Sequence, residues 1–267
     1  MFVLHDLSSV RDFVIRLAKA VGHELIISGH RKEIVIHHGY PKDIDSDFEA
    51  IYRLCQPYTM TSLERMYALY QATKYIVNQR LPGSFVFCGV WRGGSAMVSA
   101  LTLRKIGDTS QMLYLYDTYA GMTRPTADDR RLSDNKLVEP IWCRQQRDDH
   151  NEYAYAPLDE VKKNMNRTGY PDDKIKYIKG RVEETIPAIL PETIALLRLD
   201  TDWYQSTYHE LKHLYPLLVR HGVLFIDDYG HFTGARKAVD QYLHEEAETV
   251  LLNRIDHTGR MGIKVVN

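Results

Sequence analysis

The chain has 267 residues, 44% of them hydrophobic and 26% charged, with a formal net charge of −1. This composition suits one large globular domain with a sizeable core and a small N-terminal extension, and the near-zero charge argues against a broad nucleic-acid surface. Three widely spaced cysteines, Cys55, Cys88 and Cys143, make neither a zinc cage nor a disulfide framework and fit a reducing cytoplasm.

No apolar run approaches the ~20 residues of a membrane helix, and the N-terminus lacks the basic-then-apolar order of a signal peptide. Leu7, Val10, Val14, Leu17 and Val21 recur at helical spacing over residues 7–22. Residues 24–28 and 33–37 are short and β-prone, with Gly29-His30-Arg31-Lys32 as a hairpin turn between them. Residues 1–55 read as an appendage and 56–267 as the main domain. A helix follows Pro57-Tyr58-Thr59-Met60. Thr61 and Glu64 have capping-box spacing, and Leu63, Tyr67, Tyr70, Ala72 and Ile76 form its apolar stripe.

From residue 84 onward strands and helices alternate. Strands are predicted at 84–88, 112–116, 175–178, 194–199 and 222–226, and helices at 95–104, 158–167, 206–219 and 234–246. Residues 122–154 are polar, weakly periodic and long for a connection, so they read as a lid or substrate loop. The segments 250–255 and 260–266, joined by His257-Thr258-Gly259, form a final hairpin. The alternation predicts an α/β fold: a mostly parallel sheet with helices on both faces and an antiparallel C-terminal hairpin strand. Ligands of such sheets bind outside the carboxyl ends of the strands.

Three motifs sit at such ends. Gly89-Val90-Trp91-Arg92-Gly93-Gly94-Ser95 is a glycine-rich strand-to-helix turn, without dinucleotide-fingerprint or phosphate-loop spacing. Asp117-Thr118 ends the next strand. Asp117 reads either as a helix cap or as an acceptor for two ribose hydroxyls; the glycine turn one strand earlier favours the ribose. Lys179-Gly180-Arg181-Val182-Glu183-Glu184-Thr185 follows the third strand and, alone, is a charged loop.

The strongest signal is a pair of acidic clusters after two apolar strands, Asp200-Thr201-Asp202 and Asp227-Asp228. Four carboxylates at neighbouring strand ends repel one another unless a cation or a proton-transfer task compensates. Asp200, Asp227 and Asp228 supply three hard oxygen ligands of the kind magnesium prefers. Asp202 is placed to take a proton from a hydroxyl in the same cleft. Asp202 or Asp228 individually also suits the capping of the helix that follows.

At these residues the sequence resembles the macrocin O-methyltransferase family, metal-dependent S-adenosylmethionine enzymes that methylate sugar hydroxyls of macrolide and aminocoumarin antibiotics. The matching stretches are Tyr58-Thr59-Met60-Thr61-Ser62 with Glu64-Arg65, the glycine turn, and Asp117-Thr118. They continue with Gly180, Val182 and Thr185-Ile186-Pro187, then 197–207, then Asp227-Asp228-Tyr229-Gly230. The resemblance implies a class I methyltransferase fold of Rossmann-like type, S-adenosylmethionine as cofactor and Mg2+ held by Asp200, Asp227 and Asp228, with Asp202 as general base. It places Gly89, Val90, Trp91, Gly93 and Ser95 along the methionine part of the cofactor. Asp117 and Thr118 fall at the ribose, with Gly180 and Val182 beyond, and Thr59 and Met60 near the methionine end. It also implies a small-molecule acceptor containing a sugar, a cytoplasmic location, and a homodimer or homotetramer. The 1–55 appendage and the 122–154 loop would shape the acceptor site or subunit contacts. One departure is Phe87, where the family usually carries an acid at the end of the first strand.

Three rival readings set the tests. A nicotinamide-dependent oxidoreductase shares the sheet, but the fingerprint spacing is missing. A non-catalytic binding protein has no need of four costly carboxylates. A catechol-like or other vicinal diol acceptor satisfies the same metal chemistry as a sugar.

Overall fold

The computed structural model describes residues 24–27, 34–37, 41 and 43–265. By contacts the chain divides into Met1–Ala50 and Ile51–Asn267. In the first unit β1 (Glu24–Ile27) and β2 (Ile34–His37) pair antiparallel, as the β-prone segments predict. The helix expected over 7–22 and the turn at 29–32 lie outside the described residues. Helix α1 (Ser46–Cys55) spans the division.

The second unit is built on a seven-stranded sheet. Strands β3 (Ser84–Cys88), β4 (Leu113–Asp117), β5 (Ile175–Lys179), β6 (Ile194–Leu199) and β7 (Leu218–Ile226) are parallel. The hairpin strands β8 (Asn253–Arg254) and β9 (Arg260–Ile263) complete the order β5-β4-β3-β6-β7-β9-β8, with β9 antiparallel to β7. The expected mostly parallel α/β sheet with an antiparallel C-terminal hairpin is therefore present.

Strand alternation decides what lies above and below the sheet. Val86 and Cys88, Leu197 and Leu199, and Leu224 and Ile226 share one apolar cluster with Leu211 and Leu214 of α7 (Tyr204–Leu214) and Val239 and Tyr242 of α8 (Thr233–Glu245). The alternate positions Arg198 and Phe225 therefore belong to the other face. There α2 (Leu63–Asn78), paired with α3 (Gly94–Ile106), packs on β6 and β7. Phe87 is fully buried and on the same side as Phe85.

The entry to α2 differs from the sequence expectation. Ser62, not Thr61, is the N-cap, its Oγ accepting from Arg65 N at 3.1 Å. The Thr61 hydroxyl instead pairs with that of Thr59 at 2.9 Å. The buried stripe is Met66, Leu69, Tyr70, Ala72, Thr73 and Ile76, which keeps the expected Tyr70, Ala72 and Ile76 and leaves Leu63 and Tyr67 only partly covered.

Residues 122–154 hold a short helix, α4 (Glu139–Gln145), and are tied down by bridges pairing Arg131 with Phe232 and Gln146 with Asn151. Helix α5 (Leu158–Asn166) and the single turn α6 (Val182–Thr185) complete the elements. Among the described residues no helix is long and apolar enough to cross a membrane.

Candidate active site

The register brings the site together. Cys88 pairs with Leu199, and Leu199 with Ile226, so β3, β6 and β7 end flush. One residue further on, Asp200 N donates to Cys88 O and Asp227 N to Leu199 O, each at 2.9 Å. Gly89, Asp200 and Asp227 thus leave the sheet side by side. Gly89 has φ +77°, and a Cβ there would lie 2.1 Å from the Asp200 carbonyl oxygen, so no other residue fits.

The turn after Gly89 is shaped by the acid at the end of β4. Asp117 Oδ2 accepts from Val90 N at 2.8 Å and Trp91 N at 3.1 Å, and Oδ1 from Tyr119 N at 2.8 Å. Burial pushes its pKa up, and these backbone N–H groups oppose that rise by stabilising the carboxylate. The carboxyl faces a cleft lined by Met60, Gly89, Trp91, Asp117, Thr118, Gly180 and Val182. Seven of the sequence-predicted cofactor positions thus meet in one cavity. Thr59, Val90 and Ser95 line an adjoining cavity. Gly93 lines neither: it is the N-cap of α3, at φ +93°.

Both cavities share Met60, Trp91, Asp200 and Asp202. At this junction Asp200, Asp202 and Asp228 each offer a carboxylate oxygen, the three lying within 4.8 Å of one another. Burial drives the Asp200 and Asp228 carboxyls well above their ordinary range, and neighbouring carboxylates reinforce the effect. Asp202 is pushed up to about 7 by burial, with Asp200 and Asp227 adding to the rise. Asp202 also sits at φ +67°, a left-handed conformation that Asp tolerates better than most side chains.

The fourth acid, Asp227, is held differently. Its Oδ1 lies 3.0 Å from Arg198 Nη2, and its Oδ2 pairs with Arg65 Nη1. Arg198 Nη2 is also 2.7 Å from Asp200 Oδ2. Two guanidiniums thus offset part of the charge of the four acids. Sequence reasoning gave neither arginine a role. Arg198 carried a signal, since a cation inside an apolar strand needs a buried partner; Arg65 carried none before α2 was placed.

The donor set fits a hard divalent cation. Every candidate ligand atom is a carboxylate oxygen, and Asp228 Oδ2 is buried without a hydrogen-bond partner. The Asp227 oxygens keep lone pairs beyond their two ion pairs, because a carboxylate has about four acceptor sites.

The loop below the acids is anchored by residues that the sequence did not single out. Asp129, fully buried, accepts from Tyr204 N at 2.8 Å and so fixes the start of α7. Trp203 Nε1 donates to Thr123 O at 2.8 Å, and the Tyr153 ring stacks on Trp203 with centroids 6.3 Å apart. Tyr153, His231, Phe232, His257 and Thr258 line the second cavity opposite the carboxylates. Aromatic faces beside polar tips suit a partly polar, ring-shaped acceptor.

The family model described as macrocin-O-methyltransferase (TylF) matches residues 27–262. A Streptomyces olivaceus protein named 8-demethyl-8-(2,3-dimethoxy-alpha-L-rhamnosyl)-tetracenomycin-C 4'-O-methyltransferase is 31% identical over 251 residues, covering 93% of this chain and 91% of its own. Mycinamicin III 3''-O-methyltransferase of Micromonospora griseorubida is 28% identical over 204 residues, 76% of each chain. Among solved structures, that of the O-methyltransferase NovP superposes with a TM-score of 0.69 at 25% identity, covering 78% of this chain and 83% of that one. The calicheamicin methyltransferase CalS11, at 14% identity and a TM-score of 0.57 over 97% of this chain and 94% of that one, shares the fold.

Proposed function

This chain belongs to the macrocin O-methyltransferase family, has the class I methyltransferase fold and is an S-adenosylmethionine-dependent O-methyltransferase, and we propose that it methylates a sugar hydroxyl of a natural-product glycoside with the help of Mg2+. The observation that carries the reading is the position of Asp200 and Asp202, on the shared wall of the two cavities. One cavity holds seven of the predicted cofactor residues; the other holds Thr59, Val90 and Ser95 beside an aromatic and imidazole lining. The Streptomyces olivaceus relative is named for a rhamnosyl-bearing acceptor, which supports a sugar here.

In this reading Gly89, Trp91, Asp117, Thr118, Gly180 and Val182 hold the cofactor, with Met60 at the junction and Thr59, Val90 and Ser95 at the adjoining wall. Asp200, Asp227 and Asp228 hold the cation, which when bound makes a neighbouring hydroxyl more acidic. Asp202 accepts the hydroxyl proton. S-adenosylmethionine, when held there, would supply the methyl group to the oxygen that Asp202 has relieved of its proton, with S-adenosylhomocysteine as the other product. The chain's contribution is placement of the hydroxyl beside Asp202 and exclusion of water by the ordered 122–154 segment. A cytoplasmic enzyme assembled as a homodimer or homotetramer belongs to the same reading; light scattering reads the assembly.

The test is formation of S-adenosylhomocysteine with a panel of rhamnosylated and other deoxysugar glycosides, a catechol and a sugar-free aglycone. Turnover of glycosides alone, abolished by EDTA and restored by Mg2+, is the expected result. Turnover of the catechol alone overturns the sugar assignment. Activity indifferent to chelation overturns the metal assignment.

A further inference from the structure

We propose that Asp256 and Arg65 form a latch that positions Asp227: Asp256, on the turn between β8 and β9, fixes the Arg65 guanidinium, and Arg65 fixes Asp227. The latch rests on the divalent-cation reading above. Arg65 Nε donates to Asp256 Oδ2 at 2.9 Å, and Ser62 Oγ donates to the same oxygen at 2.6 Å. Asp256 Oδ1 accepts from Thr258 N at 2.8 Å and Gly259 N at 2.7 Å. One carboxylate thus closes the hairpin turn with one oxygen and grips the start of α2 with the other.

The opposite end of Arg65 reaches Asp227, whose side chain is 3% exposed, while Arg65 and Asp256 are 12% and 9% exposed. A long side chain loses much rotamer freedom to sit in one place. Here the freedom is removed by four groups that are not part of the acid cluster: Asp256, Ser62, Thr258 and Gly259. The turn is also shaped to Arg65, because a Cβ on Gly259 would lie 2.7 Å from Arg65 Cδ. The same turn carries His257 and Thr258 into the second cavity. The latch therefore joins three parts of the chain that share the cleft: α2, the β8–β9 hairpin and the end of β7.

Charge alone offers a rival role for Arg65. Arg65 lies between two carboxylates, Asp227 and Asp256, and so neutralises part of the charge that a cation would meet. If Arg65 were only a counter-charge, its removal would strengthen cation binding. If it positions Asp227, removal weakens binding, since groups that orient metal ligands are worth about 10–100-fold in metal affinity. For Arg65→Gln the two roles differ in sign, which makes it the deciding variant; Asp256→Asn, which removes a negative charge, must weaken binding under the latch and is the supporting one.

The experiment titrates the full-length protein with Mn2+, read by electron paramagnetic resonance, and with S-adenosylhomocysteine, read by calorimetry, for the wild type, Asp256→Asn and Arg65→Gln. Asn keeps an oxygen for Thr258 N and Gly259 N, so the turn stands while the ion pair with Arg65 is lost. The expected result is Mn2+ affinity about tenfold weaker or more in both variants, with S-adenosylhomocysteine affinity unchanged, because Asp117 and the glycine turn are untouched. Unchanged or tighter Mn2+ binding in either variant overturns the latch and leaves the cation reading standing. Loss of both ligands together marks general disruption and also overturns the specific role. A wild-type chain that binds no Mn2+ overturns the cation reading itself, and the latch with it.

Discussion

The Arg198 guanidinium lies 2.7 Å from the Asp200 carboxylate, two residues along the same strand face. The pair is a consequence of β geometry. Residues i and i+2 share a face, and β6 ends between them, so a buried cation meets the first acid to leave the sheet. Asp227 reaches the same guanidinium from the next strand. Removing Arg198 leaves these acids without their shared buried partner. Arg198→Met is expected to cost about 3–5 kcal/mol of stability, measured by urea unfolding of the cation-free protein. A loss below about 0.5 kcal/mol, the range of ordinary surface changes, would show that the pair has no structural role.

Asp202→Asn separates chemistry from binding. Asn tolerates the left-handed backbone at φ +67° and keeps the side-chain shape, but it has no carboxylate to take a proton. Turnover is expected to fall by about 10²–10⁴-fold, with S-adenosylhomocysteine affinity retained. Asp202→Ala should lose about 1–2 kcal/mol of stability in addition, from strain at that backbone angle. Single-turnover rates and calorimetry read the two effects separately. A fully active Asn variant removes Asp202 from the base role.

Asp117 has a second duty that the ribose reading does not contain. Its Oδ2 holds Val90 N and Trp91 N, so Asp117→Ala frees two partly buried backbone donors in the turn that the cofactor passes. An unpaired donor costs up to about 1–3 kcal/mol when fully buried and less when water reaches it. The variant should therefore lose both thermal stability and S-adenosylhomocysteine affinity. Loss of affinity at unchanged melting temperature would mean that Asp117 serves the ligand only.

How legible the site was in the sequence follows from which signals are local. The strand ends carrying Asp117, Asp200 and Asp227 were readable, because apolar runs followed by acids mark buried strands and their exits. The flush ends of β3, β6 and β7 were not, since register depends on pairing across distant segments. The order of the acids in space was hidden for the same reason. Asp200, Asp202 and Asp228 share a junction, while Asp227 turns to Arg65 across a sequence separation of 162 residues. The α2 cap was misplaced by one residue because Thr61 has capping-box spacing to Glu64, whereas Ser62 is the cap in the fold and the Thr61 hydroxyl pairs with Thr59. Asp256, next to the predicted His257-Thr258-Gly259 turn, was not singled out, and its grip on Arg65 was invisible.

Glu210, which is not itself a proposed ligand, provides a pH test beside the acid cluster. It is fully buried on α7, with Oε1 accepting from the Thr201 hydroxyl at 2.9 Å and Oε2 without a hydrogen-bond partner. Burial pushes its pKa well above the carboxylate range, and the nearby Glu183 and Asp200 charges add to the rise. The folded state therefore keeps a proton that the unfolded chain releases above about pH 4.3. Stability from this group is complete below that pH and declines as pH rises toward the folded-state value. Glu210→Gln keeps an acceptor for Thr201 and has no proton to lose. Its melting temperature should exceed that of the wild type by a margin that widens from about pH 5 to about pH 8, with each kcal/mol appearing as about 2–4 °C in a chain of this size. A margin that stays constant across the range would show that Glu210 is ionised in the folded protein, with Thr201 as its compensating donor.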